Sequence, residues 1–189
     1  VYINGDLVSE PELGQDFNPG INSITVVNEL IFTANSDNLV GTGGDDTFIA
    51  NQLSHIQAGD SANGNGGFNT LELNFAASNG ANTLQEMFND ASLTDIDRIE
   101  FNTENNVTFG GIGIGYASSL QSLATNEGND TLTNMRQGLL YELNAGNDSI
   151  ALTSINAGSV TTTVDGGAGE DSLTGSTGND LIAIDSVEY

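Results

Sequence analysis

Six stretches of this chain repeat one nine-residue pattern, G-G-x-G-x-D-x-U-x with U apolar. That repeat limits the folds open to the chain more than any other feature. Residues 166–174 (GGAGEDSLT) match at every fixed position, and 175–183 (GSTGNDLIA) and 41–49 (GTGGDDTFI) lack only the second glycine. Weaker copies lie at 64–72 (GNGGFNTLE), 125–133 (TNEGNDTLT) and 143–151 (LNAGNDSIA), and Asn35–Leu39 is a degenerate half-copy. The Asp position carries the register. Asp37 and Asp46 are 9 apart, Asp130 and Asp148 are 18 apart, and Asp46–Asn69 and Asp148–Asp171 are each 23 apart, two units plus five residues.

In such a unit about six residues turn and three extend, with glycines supplying backbone angles that other residues resist. Two units complete one coil, so side chains 18 apart stack on one side. The expected fold is therefore all-β dominated: a β-roll of parallel β-helix-like coils, with one or two short helices inserted. Asp37 and Asp180 are expected on the side opposite Asp46 and Asp171. The middle departs from the repeat. The pattern predicts a helix over 83–90 (Leu84, Met87 and Phe88 on one face), a strand over 93–101 and a second helix over 117–124. Strands are expected at 24–27, 30–33, 150–155 and 160–164. Residues 1–189 read as one domain: a non-repeat opening (1–33), repeat turns (35–74 and 125–185) and an inserted region (75–124).

Charge narrows the function. Two basic residues face 26 acidic ones, for a formal net charge of −24. Self-repulsion of that size opposes compaction unless something positive binds. Nucleic acid and anionic lipid are poor partners, because both need a basic surface. No apolar run reaches the ~18 residues needed to span a membrane. The absence of Cys and the single His (His55) leave no thiolate site and no His-based centre. No H-E-x-x-H or G-x-S-x-G occurs, and the chain is not expected to be an enzyme. Stacked Gly/Asp turns instead gather carboxylates and carbonyls, the oxygen ligands that Ca2+ prefers. Several Ca2+ ions are expected.

The repeats resemble those of the calcium-binding RTX (repeats-in-toxin) proteins, over about 35–74 and 125–185. The resemblance implies sites that join the second and fourth carbonyls and the Asp of one turn to the first and third carbonyls and the Asp one coil later. One site would then use Asn126, Gly128 and Asp130 with Leu143, Ala145 and Asp148. A second would use Asn144, Gly146 and Asp148 with Gly166, Ala168 and Asp171. A third would use Thr42, Gly44 and Asp46 with Gly64, Gly66 and Asn69. Asn69 is neutral and should weaken its site, unless Asp60 replaces it. The five-residue insertions threaten the second and third pairings. Asp37 and Asp180 are further candidate ligands.

The inserted region adds one more motif, Phe109-Gly110-Gly111-Ile112-Gly113-Ile114-Gly115-Tyr116, leading into the predicted helix at 117–124. Successive glycine N–H groups and a helix N-terminus suit an anion such as a peptide carboxylate. The competing reading is a Gly-rich turn with Ile112 and Ile114 packed inward. Gly110, Gly111, Gly113, Gly115, Tyr116 and Arg136 are the candidate peptide-binding residues, Arg136 because it sits where the repeat lapses. Arg98 reads as an ion-pair partner of nearby acids, and His55 as structural. Size, acidity and repeats around a non-repetitive middle resemble the calcium-dependent peptide-binding domains of large bacterial RTX adhesins. That resemblance implies an extracellular, cell-surface adhesion module, part of a longer chain and monomeric when isolated, that binds protein C-termini on a target cell. The alternative is a structural calcium-binding β-roll segment of a surface-layer or secreted RTX protein.

Overall fold

A computed structural model describes residues 29–57, 59–75, 92–110, 119–153, 161–176 and 179–183, with the backbone of 2–3 and 6–7. Short strands β1 (Tyr2–Ile3) and β2 (Asp6–Leu7) pair antiparallel. All other described strands pair parallel. They are β3 (Glu29–Ile31), β4 (Asn38–Val40), β5 (Thr47–Ala50), β6 (Ser61–Asn63), β7 (Thr70–Leu73), β8 (Ser92–Thr94), β9 (Arg98–Phe101), β10 (Thr108–Gly110), β11 (Ser122–Ala124), β12 (Thr131–Arg136), β13 (Leu140–Glu142), β14 (Ser149–Thr153), β15 (Thr162–Asp165), β16 (Ser172–Thr174) and β17 (Asp180–Ala183).

From β3 onward, odd-numbered strands form one eight-stranded sheet, β17-β15-β13-β11-β9-β7-β5-β3. Even-numbered strands form two smaller sheets, β4-β6-β8 and β10-β12-β14-β16. Two successive strands therefore make one coil, and coils stack through parallel ladders, the all-β coiled architecture that the repeat predicts.

The apolar U residue is buried in four of the six repeats, half-buried at Leu173 and exposed at Ile182 in the end strand. Phe48, Leu71, Leu132 and Ile150 are buried. In register they belong to two continuous rows, Leu30-Phe48-Leu71-Ile99-Leu123-Tyr141-Val164-Ile182 and Phe109-Leu132-Ile150-Leu173. The rings of Phe101 and Phe109, from different sheets, lie 5.8 Å apart at 56°. Tyr141 is a core residue. It is fully buried, and its hydroxyl donates to the Arg136 carbonyl at 2.7 Å.

The insertions do not break the coil. Thr47 pairs with Thr70 and Ser149 with Ser172 despite the extra five residues. The added length between Asp46 and Asn69 falls in the opposite turn, which contains a 3-10 turn at Leu53–His55. A ladder on one flank is indifferent to loop length on the other.

Three expectations need correction. The predicted strand over 93–101 is two strands in different sheets, split at Asp95 (φ 51) with Ile96 buried. The predicted helix over 117–124 ends in strand β11, paired with β9 and β13. Leu120 and Leu123, three apart, mimic helical spacing, but both are buried, and Ser122 and Ala124 are buried too. Ser122 and Ala124 are small enough for Arg98 to pass over them from β9 to Glu142 on β13. Finally, Asp37 and Asp171 precede even-numbered strands, whereas Asp46 and Asp180 lead into or begin odd-numbered ones. Asp46 and Asp171 therefore lie on opposite flanks. The chain makes an odd number of turns between them, including one at 102–107 that carries no glycine. The predicted helix over 83–90 and the segment 24–27 lie outside the described residues.

Candidate metal centre

Four turns, 102–107, 125–130, 143–148 and 166–171, stack on one flank, each leading into an even-numbered strand. Two rows of side-chain bonds tie them together. At the Asp position, the backbone N–H of each turn donates to the carboxylate one coil later: Val107 to Asp130 Oδ1 (2.7 Å), Asp130 to Asp148 Oδ1 (2.7 Å) and Asp148 to Asp171 Oδ1 (2.9 Å). One residue earlier the direction reverses. Asn129 N–H donates to Asn106 Oδ1, Asn147 N–H to Asn129 Oδ1 and Glu170 N–H to Asn147 Oδ1 (2.9, 2.8 and 2.9 Å). The recurring Asn-Asp pair thus fastens each coil in both directions.

The backbones come very close here. A Cβ on Gly146 (φ 148) would sit 1.7 Å from the Gly128 carbonyl oxygen, and one on Gly169 (φ 143) 1.7 Å from that of Gly146. Both the space and the backbone angle demand glycine.

The carboxylates are only half satisfied. Asp130 and Asp148 are each 1% exposed, and the Oδ2 of each is buried with no hydrogen-bond partner. Burial pushes the Asp130 carboxyl above its ordinary range, opposed by the Val107 N–H that donates to its Oδ1. Burial likewise pushes Asp148 up to about 6, opposed by the Asp130 N–H and reinforced by the charges of Asp130 and Asp171. A buried, unpartnered carboxylate oxygen calls for a partner the protein does not supply. The set fits a hard cation.

The first two expected sites are brought together by these turns. In the first, Gly128 N–H donates to the Ala145 carbonyl (3.0 Å) and the Thr125 hydroxyl to the Leu143 carbonyl (3.0 Å), with Asn126 in the same turn as Asp130. In the second, Gly146 N–H donates to the Ala168 carbonyl (2.9 Å) and Ala168 N–H to the Asn144 carbonyl (2.7 Å), and the missing Cβ of Gly166 leaves room for the Asp171 carboxylate. Each carbonyl oxygen keeps a second lone pair for an ion. Among the described residues no three His, Cys, Asp or Glu side chains gather to hold a metal alone.

The third site is assembled differently. Thr42, Gly44, Asp46, Gly64, Gly66 and Asn69 lie in two stacked turns on the other flank, and Asp46 N–H donates to Asn69 Oδ1 (3.1 Å). Asp46 Oδ2 already accepts the Thr42 N–H at 2.6 Å, and the Thr42 hydroxyl lies within 3.3 Å of both carboxylate oxygens. Asp60 does not replace Asn69. It stacks under Asp37 on the opposite flank, accepting the N–H groups of Asp37 (2.9 Å) and Gln57 (2.7 Å). Asp37 and Asp180 hold Thr33 and Ser176 in the same manner as Asp46 holds Thr42.

The turn at 102–107, with Asn106 and Val107 in the ladder positions, escapes the repeat pattern because it lacks both Gly and Asp. Its one signal is that Val107 stands 23 residues before Asp130. Asp97 is also missed, since 28 residues separate it from Asn69.

Of the peptide-binding candidates, Gly110 ends β10 and is buried, and Arg136 ends β12. The Arg136 guanidinium donates to the Leu120 carbonyl at 2.8 Å. Gly111, Gly113, Gly115 and Tyr116 lie outside the described residues. With β11 in place of the expected helix over 122–124, no helix dipole is shown to follow them. No protein-family model, curated protein sequence or solved structure matches the chain.

Proposed function

We propose that the chain is a calcium-stabilised β-roll module held by ions at the Asp130, Asp148 and Asp171 turns. The carrying observation is the pair of buried, unpartnered oxygens, Asp130 Oδ2 and Asp148 Oδ2. An ordered water would satisfy their hydrogen bonding but leave the charges facing one another. A divalent cation answers both needs, and in a chain of net charge −24 it also relieves long-range repulsion.

Asp148 belongs to both sites, so the test is calorimetric calcium titration of the intact chain and of Asp148→Asn. The variant should bind fewer ions and lose most of the calcium-induced gain in melting temperature. Equal stoichiometry in the two proteins would overturn the assignment.

We further propose that the module works outside the cell as the peptide-binding adhesion domain of an RTX-like surface protein. Calcium is abundant there, and sites of modest affinity fill. Support for the ligand end is local. Arg136, one of two basic residues in the chain, bonds the backbone just beyond the glycine-rich segment, which follows β10, the neighbour of β12. Titrating the calcium-loaded domain with free-carboxyl and amidated versions of a peptide library tests this. Preference for the free carboxylate is expected. No binding across the library would leave the structural-segment reading in its place.

A further inference from the structure

We infer that the side-chain amide of Asn69 takes the place of a cation, so that its rung of the coil closes without metal. Asn69 is wholly buried, and its amide meets three partners. Oδ1 accepts the Asp46 N–H at 3.1 Å. Nδ2 donates to the carbonyl of Gly66 in its own turn (3.0 Å) and of Asp95 in the next coil (2.9 Å). One donor and two acceptors leave only this orientation of the amide. The missing Cβ of Gly64 makes the space: a Cβ there would meet Asn69 Nδ2 at 2.1 Å.

This is the ladder position that Asp130 and Asp148 fill on the other flank. In each case Oδ1 accepts an N–H from the preceding coil. The second atom differs. In Asp130 and Asp148 it is a bare, buried oxygen, and in Asn69 it is an NH2 group that joins two carbonyls of successive coils. Joining the oxygens of successive turns is the work proposed for calcium, and the amide does it with two hydrogen bonds. The neighbouring acids on this flank need no ion either. Asp46 holds Thr42, and Asp97 accepts the Asn69 N–H (2.9 Å) and the Gln121 side-chain amide (2.8 Å). The expected third calcium site is thus not a calcium site in this chain.

Only the comparison with calcium rests on the proposed function; the hydrogen bonds stand without it. The test uses the full chain, Asn69→Asp and Asn69→Ala, melted in chelator and in calcium and titrated calorimetrically with CaCl2. In chelator both variants should melt below the parent: Asp places an oxygen against two carbonyl oxygens, and Ala leaves them bare. Calcium should rescue Asn69→Asp alone, with one more ion bound per chain than in the parent. An Asn69→Asp variant that melts with the parent in chelator, or binds the same number of ions, overturns the inference. Should the parent bind no calcium, the calcium reading falls while the chelator melts and the ion gained by Asn69→Asp still judge Asn69.

Discussion

At the scale of single residues, the ladder position takes three chemical states. Asp46 and Asp37 spend their carboxylates on their own turns, Asn69 bridges coils with an amide, and Asp130 and Asp148 keep one oxygen unpartnered in the interior. The last state has a measurable consequence. An unfolded Asp titrates near 3.9, whereas folded Asp148 is pushed up to about 6, chiefly by burial. Between those values the folded chain binds more protons than the unfolded one, so acidification favours folding. The penalty is fully present above about pH 6 and gone below about pH 4. In chelator, the urea midpoint should therefore rise between pH 7.5 and pH 5. Calcium needs the charged form, so its added stabilisation should shrink over the same interval. A flat or falling chelator profile would show that Asp148 is not held as described.

At the scale of turns and strands, glycine marks where coils touch. Gly146→Ala places a Cβ 1.7 Å from the Gly128 carbonyl at φ 148, and a loss of about 3 kcal/mol or more is expected. Gly43→Ala has nothing within 4 Å and should change stability by under ~0.5 kcal/mol. Denaturant midpoints of the two variants check this contrast, and similar losses would contradict the stacking. Leu123→Ala, in a strand that spacing alone reads as helix, should cost about 2–5 kcal/mol because Leu123 is fully buried in the inward row.

The strands and the ladder between Asp130 and Asp171 were legible because the repeat states turn, Asp and apolar residue together. The 102–107 turn was not. Once neighbouring coils supply the Asp130 acceptor and the Asn129 donor, Asn106 and Val107 suffice without glycine. The 93–101 segment misleads for a related reason. Its apolar residues Leu93, Ile96, Ile99 and Phe101 alternate only imperfectly, and Asp95 takes a left-handed angle where the chain passes from one sheet to the other. The state of Asn69 was half legible. A neutral residue in the ladder signals a weaker site, but only the positions of the Gly66 and Asp95 carbonyls show the amide filling it.

For the whole molecule, charge and coil act against each other. A net charge of −24 on 189 residues favours an open chain, and the ladder concentrates part of that charge in the interior at Asp130 and Asp148. Calcium at about 100 times its dissociation constant would add roughly 2.7 kcal/mol per site, a large share of the ~5–15 kcal/mol that separates folded from unfolded domains. Occupying two sites should therefore decide whether the C-terminal coils hold together. The most direct measurement is thermal unfolding followed by circular dichroism in physiological saline, first in excess chelator and then after adding calcium. A melting transition that is much lower in chelator, and restored by calcium but not by the same concentration of sodium, is the predicted result. A chain that is compact in chelator and melts at the same temperature with and without calcium would contradict the account.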